Sequence, residues 1–143
     1  MLINDLQEAI AKNINDHIDS GSFTYLKDHI YIKFIDKDDL IGLVPLPGSH
    51  MISKDYSGLE LWLYNYEVTL KTKSRALAHN RLFELSQFLQ QLNETHDLQS
   101  NNQSWVFDSI EIREPAEVQE DLQGKATYSM DFSIYVYKQK GVK

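Results

Sequence analysis

The stretch from Leu59 to Leu92 constrains this chain most: a long aromatic strand, a short linker and an amphipathic helix. From Trp62 on, the side chains Trp62, Tyr64, Tyr66, Val68 and Leu70 fall on one side of a period-two pattern. Asn65, Glu67, Thr69 and Lys71 fall on the other, which predicts a half-buried strand with one wet face. Leu59, Leu61 and Leu63 place leucine on the polar side. That requires either a bulge that switches the facing, or cover on both faces by this chain or a neighbour. Ser74 then suits the N-cap of a helix running to about Asn93. Ala78, Leu82, Leu85, Leu89 and Leu92 form its core stripe, widened by Leu77 and Phe88.

Upstream, Leu2, Leu6, Ile10, Ile14 and Ile18 recur at four-residue steps and predict a helix from Met1 to about Ser20. Asp5 and Glu8 suit its positive end, and Gly21 its exit. Phe23–Leu26 and Ile30–Ile35 read as strands, the second with Ile30, Ile32 and Phe34 on one face. A structureless loop of about 20 residues before the long strand would be unusual. The region therefore divides into short strands at Leu40–Val44 and His50–Ile52, joined through Pro45-Leu-Pro-Gly-Ser49. The two prolines point to an exposed, edge-like excursion spanning residues 36–56.

Downstream, Asn101-Asn-Gln103 marks a turn, and Trp105–Ile112 reads as a strand with Val106, Ile110 and Ile112 on one face. Pro115 stops it, and Glu117–Gly124 reads as an acidic loop. From Lys125 to Lys138, Ala126, Tyr128, Met130, Phe132, Ile134 and Val136 alternate with polar residues. The tail from 139 to 143 is basic and expected to fray. Strands of about 14 residues would run to roughly 45 Å, against a radius of gyration near ~15 Å for a domain of this size. They must bend, or carry an arm beyond the core, and an arm suits pairing with another subunit.

Little in the chain speaks for catalysis or metal binding. Cysteine is absent, which removes disulfides, thiolate ligands and a Cys nucleophile. The five histidines, at 17, 29, 50, 79 and 96, show no ligand spacing and are expected to face solvent. Asp36-Lys-Asp-Asp39 opens like a calcium loop, but Gly42 sits one place late and Pro47 occupies the closing position, so it reads as a turn. Lys71, Lys73, Arg75 and Arg81 form a wet rim, and Trp62, Tyr64 and Tyr66 read as core. No catalytic, metal-binding or cofactor-binding residues are assigned. A net charge of −7 disfavours tight binding to nucleic acid, though not enclosure of DNA by an acidic wall. With no basic leader and no apolar run long enough to span a bilayer, neither secretion nor membrane insertion is expected.

The order of elements, with Leu40-Ile-Gly-Leu-Val-Pro-Leu-Pro-Gly48, Leu63-Tyr-Asn-Tyr-Glu-Val-Thr-Leu70, the helix to Leu92, Ser104-Trp-Val-Phe-Asp-Ser-Ile110 and Glu120-Asp-Leu-Gln-Gly124, resembles the tail-terminator or minor capsid proteins of long-tailed phages and prophages. The resemblance spans roughly residues 25–137. Length predicts one domain over residues 1–143 and periodicity an α+β class; the resemblance implies a mixed, mainly antiparallel sheet, two helices on one face and a protruding hairpin excursion. It further implies a virion subunit, assembled in the host cytoplasm and without cofactor or catalytic residues. Copies close into a ring, a hexamer by this likeness, that caps the tail-tube protein, meets a head-completion or neck protein and encloses DNA without gripping it. Leu59, Leu61 and Leu63 are candidates for one subunit interface, and Leu43, Pro45 and Pro47 for the other. Glu117, Glu120 and Asp121 are candidates for a channel-facing acidic loop. The alternatives are a head-side neck or stopper protein, or a small-ligand or nucleic-acid binding module on a similar sheet.

Overall fold

The computed structural model describes residues 4–33, 35 and 37–139, which form two helices and one open, six-stranded antiparallel sheet. In chain order these are α1 (Leu6–Asp19), β1 (Ile41–Pro45), β2 (His50–Lys54), β3 (Leu59–Thr72), α2 (Arg75–Thr95), β4 (Val106–Ile112), β5 (Ala116–Glu120) and β6 (Ala126–Gln139). The predicted α+β class is therefore observed. The lone parallel contact among the described residues is the bridge from Tyr31 to Gly42.

β3 and β6 are the spine, pairing in unbroken register from Leu59 opposite Gln139 to Thr72 opposite Ala126. Each carries two short strands end to end on its outer edge. β1 and β2 lie along β3, and β5 and β4 lie along β6. The proline-bearing link between β1 and β2 is thus an interruption in one long edge, tied back where the Leu46 N–H donates to the Asn65 carbonyl at 2.9 Å.

One face of this sheet holds the core. Tyr66, Val68 and Leu70 of β3 and Met130, Phe132, Ile134 and Val136 of β6 meet Leu82, Leu85 and Leu89 of α2 and Ile10 and Ile14 of α1 in a single apolar cluster. Burial of each large side chain is worth roughly 1.5–3 kcal/mol, so this layer dominates stability. The Ser74 hydroxyl accepts from the Leu77 N–H at 3.1 Å, and α2 ends on His96 with a left-handed φ of 52°.

Among the described residues, neither Phe23–Leu26 nor Ile30–Ile35 forms a strand; Phe34 and Asp36 lie outside them. Side chains take the place of a neighbouring strand there. The Glu84 carboxylate accepts from the N–H groups of Thr24, Tyr25 and Leu26 at 2.8–3.0 Å. The Asn15 amide both donates to and accepts from the backbone of Ile30. Phe23, Leu26 and Ile30 are buried at irregular spacing, while Ile32 is exposed. Gly42 allows the chain to cross β1 here, because a Cβ at that position would collide with the Lys33 carbonyl.

Two further expectations are corrected. Glu117–Gly124 is not a loop: its first part belongs to β5, and the rest is a tight turn into β6. Val106 does not share a face with Ile110, because β4 is bulged between Phe107 and Ser109. Phe107 and Ile110 point into the core and Val106 is 68% exposed.

Candidate assembly surface

The second face of the sheet lacks helices and divides into two halves. Residues opposite one another on paired strands share a face. Leu61 is opposite Tyr137 and Leu63 opposite Tyr135, with no bulge anywhere in the β3–β6 pairing. The leucines that broke the polar pattern therefore stay on the outer face, half-buried against tyrosines of the same chain, with exposed Val106 at the rim. Leu59 is half-buried at the end of β3.

The other half of this face is polar. The Ser133 hydroxyl donates to the Asn65 side-chain oxygen at 2.6 Å and receives the Arg113 guanidinium at 3.2 Å. Next along the strands, Glu67 faces Asp131. Burial, a hydrogen bond with Asp131 and the charge of that residue raise the Glu67 carboxyl above its ordinary range. Beyond them Ile35 helps enclose a recess of about 140 Å³ with Thr69, Lys71, Gln119, Asp121, Lys125 and Thr127. Its lysines face acids: Lys71 lies 3.5 Å from Asp121 and Lys125 lies 2.8 Å from Asp38.

The candidate interface residues separate on burial. Pro45 and Pro47 are exposed on the interrupted edge. Leu43 has no exposed surface, because the β1 register turns it into the core, and it cannot meet a neighbour without unfolding that edge. Asp121 serves its own hairpin: Oδ1 accepts from the N–H groups of Gln123 and Lys125 at 3.0 and 2.9 Å. The Lys125 amide above all, then the Gln123 amide and Lys71, outweigh a burial penalty and hold its carboxyl below the ordinary range. Glu117 and Glu120 sit on the exposed strand β5.

The hairpin from β2 to β3 is built in the same way. Asp55 Oδ1 accepts from the N–H groups of Ser57 and Leu59, as Asp121 does from Gln123 and Lys125. In both turns a glycine three places after the aspartate, Gly58 or Gly124, takes positive φ and donates to the aspartate carbonyl. The residue following each aspartate, Tyr56 or Leu122, is fully exposed. The two hairpins occupy opposite ends of the spine.

Strand edges also fall into two kinds. The outer edge of β1 is bonded to Tyr31, and that of β4 is closed by Gln99 and by Asn93, whose amide exchanges two hydrogen bonds with Ile110. Among the described residues, no other segment pairs with the outer edges of β2 or β5, and every residue of both strands is exposed.

Elsewhere, Lys138 lies buried with its ammonium 4.0 Å from the centroid of the Trp62 ring and 2.6 Å from the Tyr64 hydroxyl. Tyr66 is buried, and its hydroxyl proton is held far more tightly than usual, chiefly by burial. His17 and His79 pack on Phe88 and Phe83, and His29 lies 2.6 Å from Asp19. Among the described residues, no three His, Asp or Glu side chains gather as a metal would need. No family model matches the chain, and no curated protein matches it.

Proposed function

We propose that this chain is a ring-forming tail-completion subunit of a long-tailed phage or prophage, a tail terminator that caps the tail tube and joins it to the head. The observation that carries the reading is the apolar half of the helix-free face, where Leu61, Leu63, Tyr135 and Tyr137 extend beyond the residues that the helices cover. Aromatic and leucine side chains on a sheet of a chain with net charge −7 suit burial against another protein better than against phosphate. The order of elements supports the same reading by its likeness to the tail-terminator family.

A closed ring needs two unlike, complementary patches on each subunit. The exposed edges of the sheet supply candidates for both, and this half-face adds apolar area for a neighbouring protein to cover. Native mass spectrometry and light scattering, with and without purified tail tubes, test the proposal. A closed oligomer, alone or templated on tubes, is expected. A chain that stays monomeric with tubes present overturns it.

A further inference from the structure

We infer that copies of this chain join edge to edge, β2 of one subunit pairing with β5 of the next, so that the sheet continues from subunit to subunit. The inference rests on the ring reading above and names the contact that would close it. An unpaired sheet edge is a row of unmet backbone donors and acceptors, which folded proteins ordinarily cover. Here β1 and β4 are covered by other parts of the chain, whereas β2 and β5 are not, among the described residues.

The two open edges match in length, direction and charge. Each is five residues long and bulged once, between Met51 and Ser53 in β2 and between Glu117 and Gln119 in β5. Each shows an exposed β-branched side chain at its bulge, Ile52 at 45% and Val118 at 64%. β2 runs parallel to β6 and antiparallel to β5, because each pairing on the path between them is antiparallel. A ring operation that keeps the same face inward brings β2 against β5 antiparallel.

Facing supplies the specificity. Lys54 pairs with Glu60 and Met51 with Trp62, which places both on the helix side of the sheet. Glu117 pairs with Tyr128 and Glu120 with Ala126, placing both glutamates on that same side. An antiparallel register that sets Lys54 opposite Glu117 and Met51 opposite Glu120 keeps like faces together and accommodates both bulges. Two β5 edges would oppose glutamates, and two β2 edges would leave Lys54 without an acidic partner, so unlike edges are favoured over like ones. Because β2 and β5 sit at opposite corners of the sheet, the strands run obliquely around the circumference. Glu117 and Glu120 then belong to a subunit contact and not to a channel wall.

The experiment uses the full chain with purified tail tubes, and circular dichroism melts to establish that each variant folds. Lys54→Glu should abolish the oligomer, and Lys54→Glu with Glu117→Lys should restore it. Glu117 also lies 3.7 Å from Arg75, which is 82% exposed, so the exchange costs little in the monomer. Independently, Lys54→Cys with Glu117→Cys should give a ladder of disulfide-linked oligomers on oxidation. The native chain contains no cysteine, and Lys12→Cys with Glu117→Cys should give no ladder. If the wild type assembles while Lys54→Glu assembles equally well and no specific ladder forms, the strand pairing is overturned and the ring reading stands. If the wild type does not assemble even on tubes, both fall.

Discussion

Glu67 and Asp131 face one another across the two central strands, on the side of the sheet away from the helices. Oδ1 of Asp131 is buried without a hydrogen-bond partner among the described residues. Burial, a hydrogen bond with Asp131 and the aspartate charge raise the Glu67 carboxyl above its ordinary value of 4.5. A raised carboxyl holds its proton more tightly in the folded chain than in the unfolded one. Its stabilisation is therefore complete below the ordinary value and is lost as pH climbs through the raised one. Glu67→Gln keeps a donor and removes the charge. Its melting temperature should exceed that of the wild type at neutral pH, with the gap closing below pH 4.5. A gap independent of pH would show that the pair does not share a proton.

Leu82 has no exposed surface and sits in the stripe by which α2 meets the sheet. Leu82→Ala should destabilise by about 2–5 kcal/mol in denaturant titrations, combining lost burial with an unfilled cavity. A change below about 0.5 kcal/mol would remove α2 from its assigned place in the core.

Asp5 gathers a loop about a hundred residues away. Its carboxylate accepts from the Ser100 hydroxyl, the Asn101 and Asn102 N–H groups and the Trp105 indole at 2.7–3.1 Å. Burial pushes this carboxyl up, but the hydrogen bonds together outweigh it and hold it below the ordinary 3.8. The stabilisation is present above that value and is lost as pH falls through the depressed one. Asp5→Ala should cost about 1.5–3 kcal/mol near neutral pH, the range for hydrogen bonds to a charged group. Its Trp105 emission should also shift as the indole loses its acceptor. Unchanged emission with unchanged stability would refute the assignment.

Leu63 is half-buried on the apolar half of the helix-free face. Leu63→Glu should cost the monomer about 0.5–3 kcal/mol, the usual range for a single substitution, leaving it folded, yet abolish assembly on tail tubes. Native mass spectrometry separates the two effects. Assembly at wild-type level in this variant would exclude this face from the subunit contact.

Residues with strict periodicity announced their structure. The alternation in β3 and β6 and the leucine stripe of α2 predicted both long strands and the main helix to within a residue or two, because one face of each element carries most of its buried apolar side chains. The apolar Leu61 and Leu63 of the candidate surface were legible for the same reason, as a violation of the pattern around them. Leu43 was misread. An exposed, proline-rich neighbourhood says nothing about which way a single residue turns, and the pairing of β1 with β3 sends Leu43 inward.

What local sequence could not carry was any backbone partner supplied from a distance. Glu84 and Asn15 satisfy segments that read as strands, so those segments never join the sheet. A bulge in β4 reverses the facing of Val106. Tyr31, Gln99 and the Asn93 amide close two edges and, among the described residues, leave β2 and β5 open. Sequence by itself determined which faces must be dry, since burial is written in the spacing of apolar residues. Tertiary structure alone decided which hydrogen-bonding groups remain for a neighbour, since that depends on where distant side chains land after the core has formed.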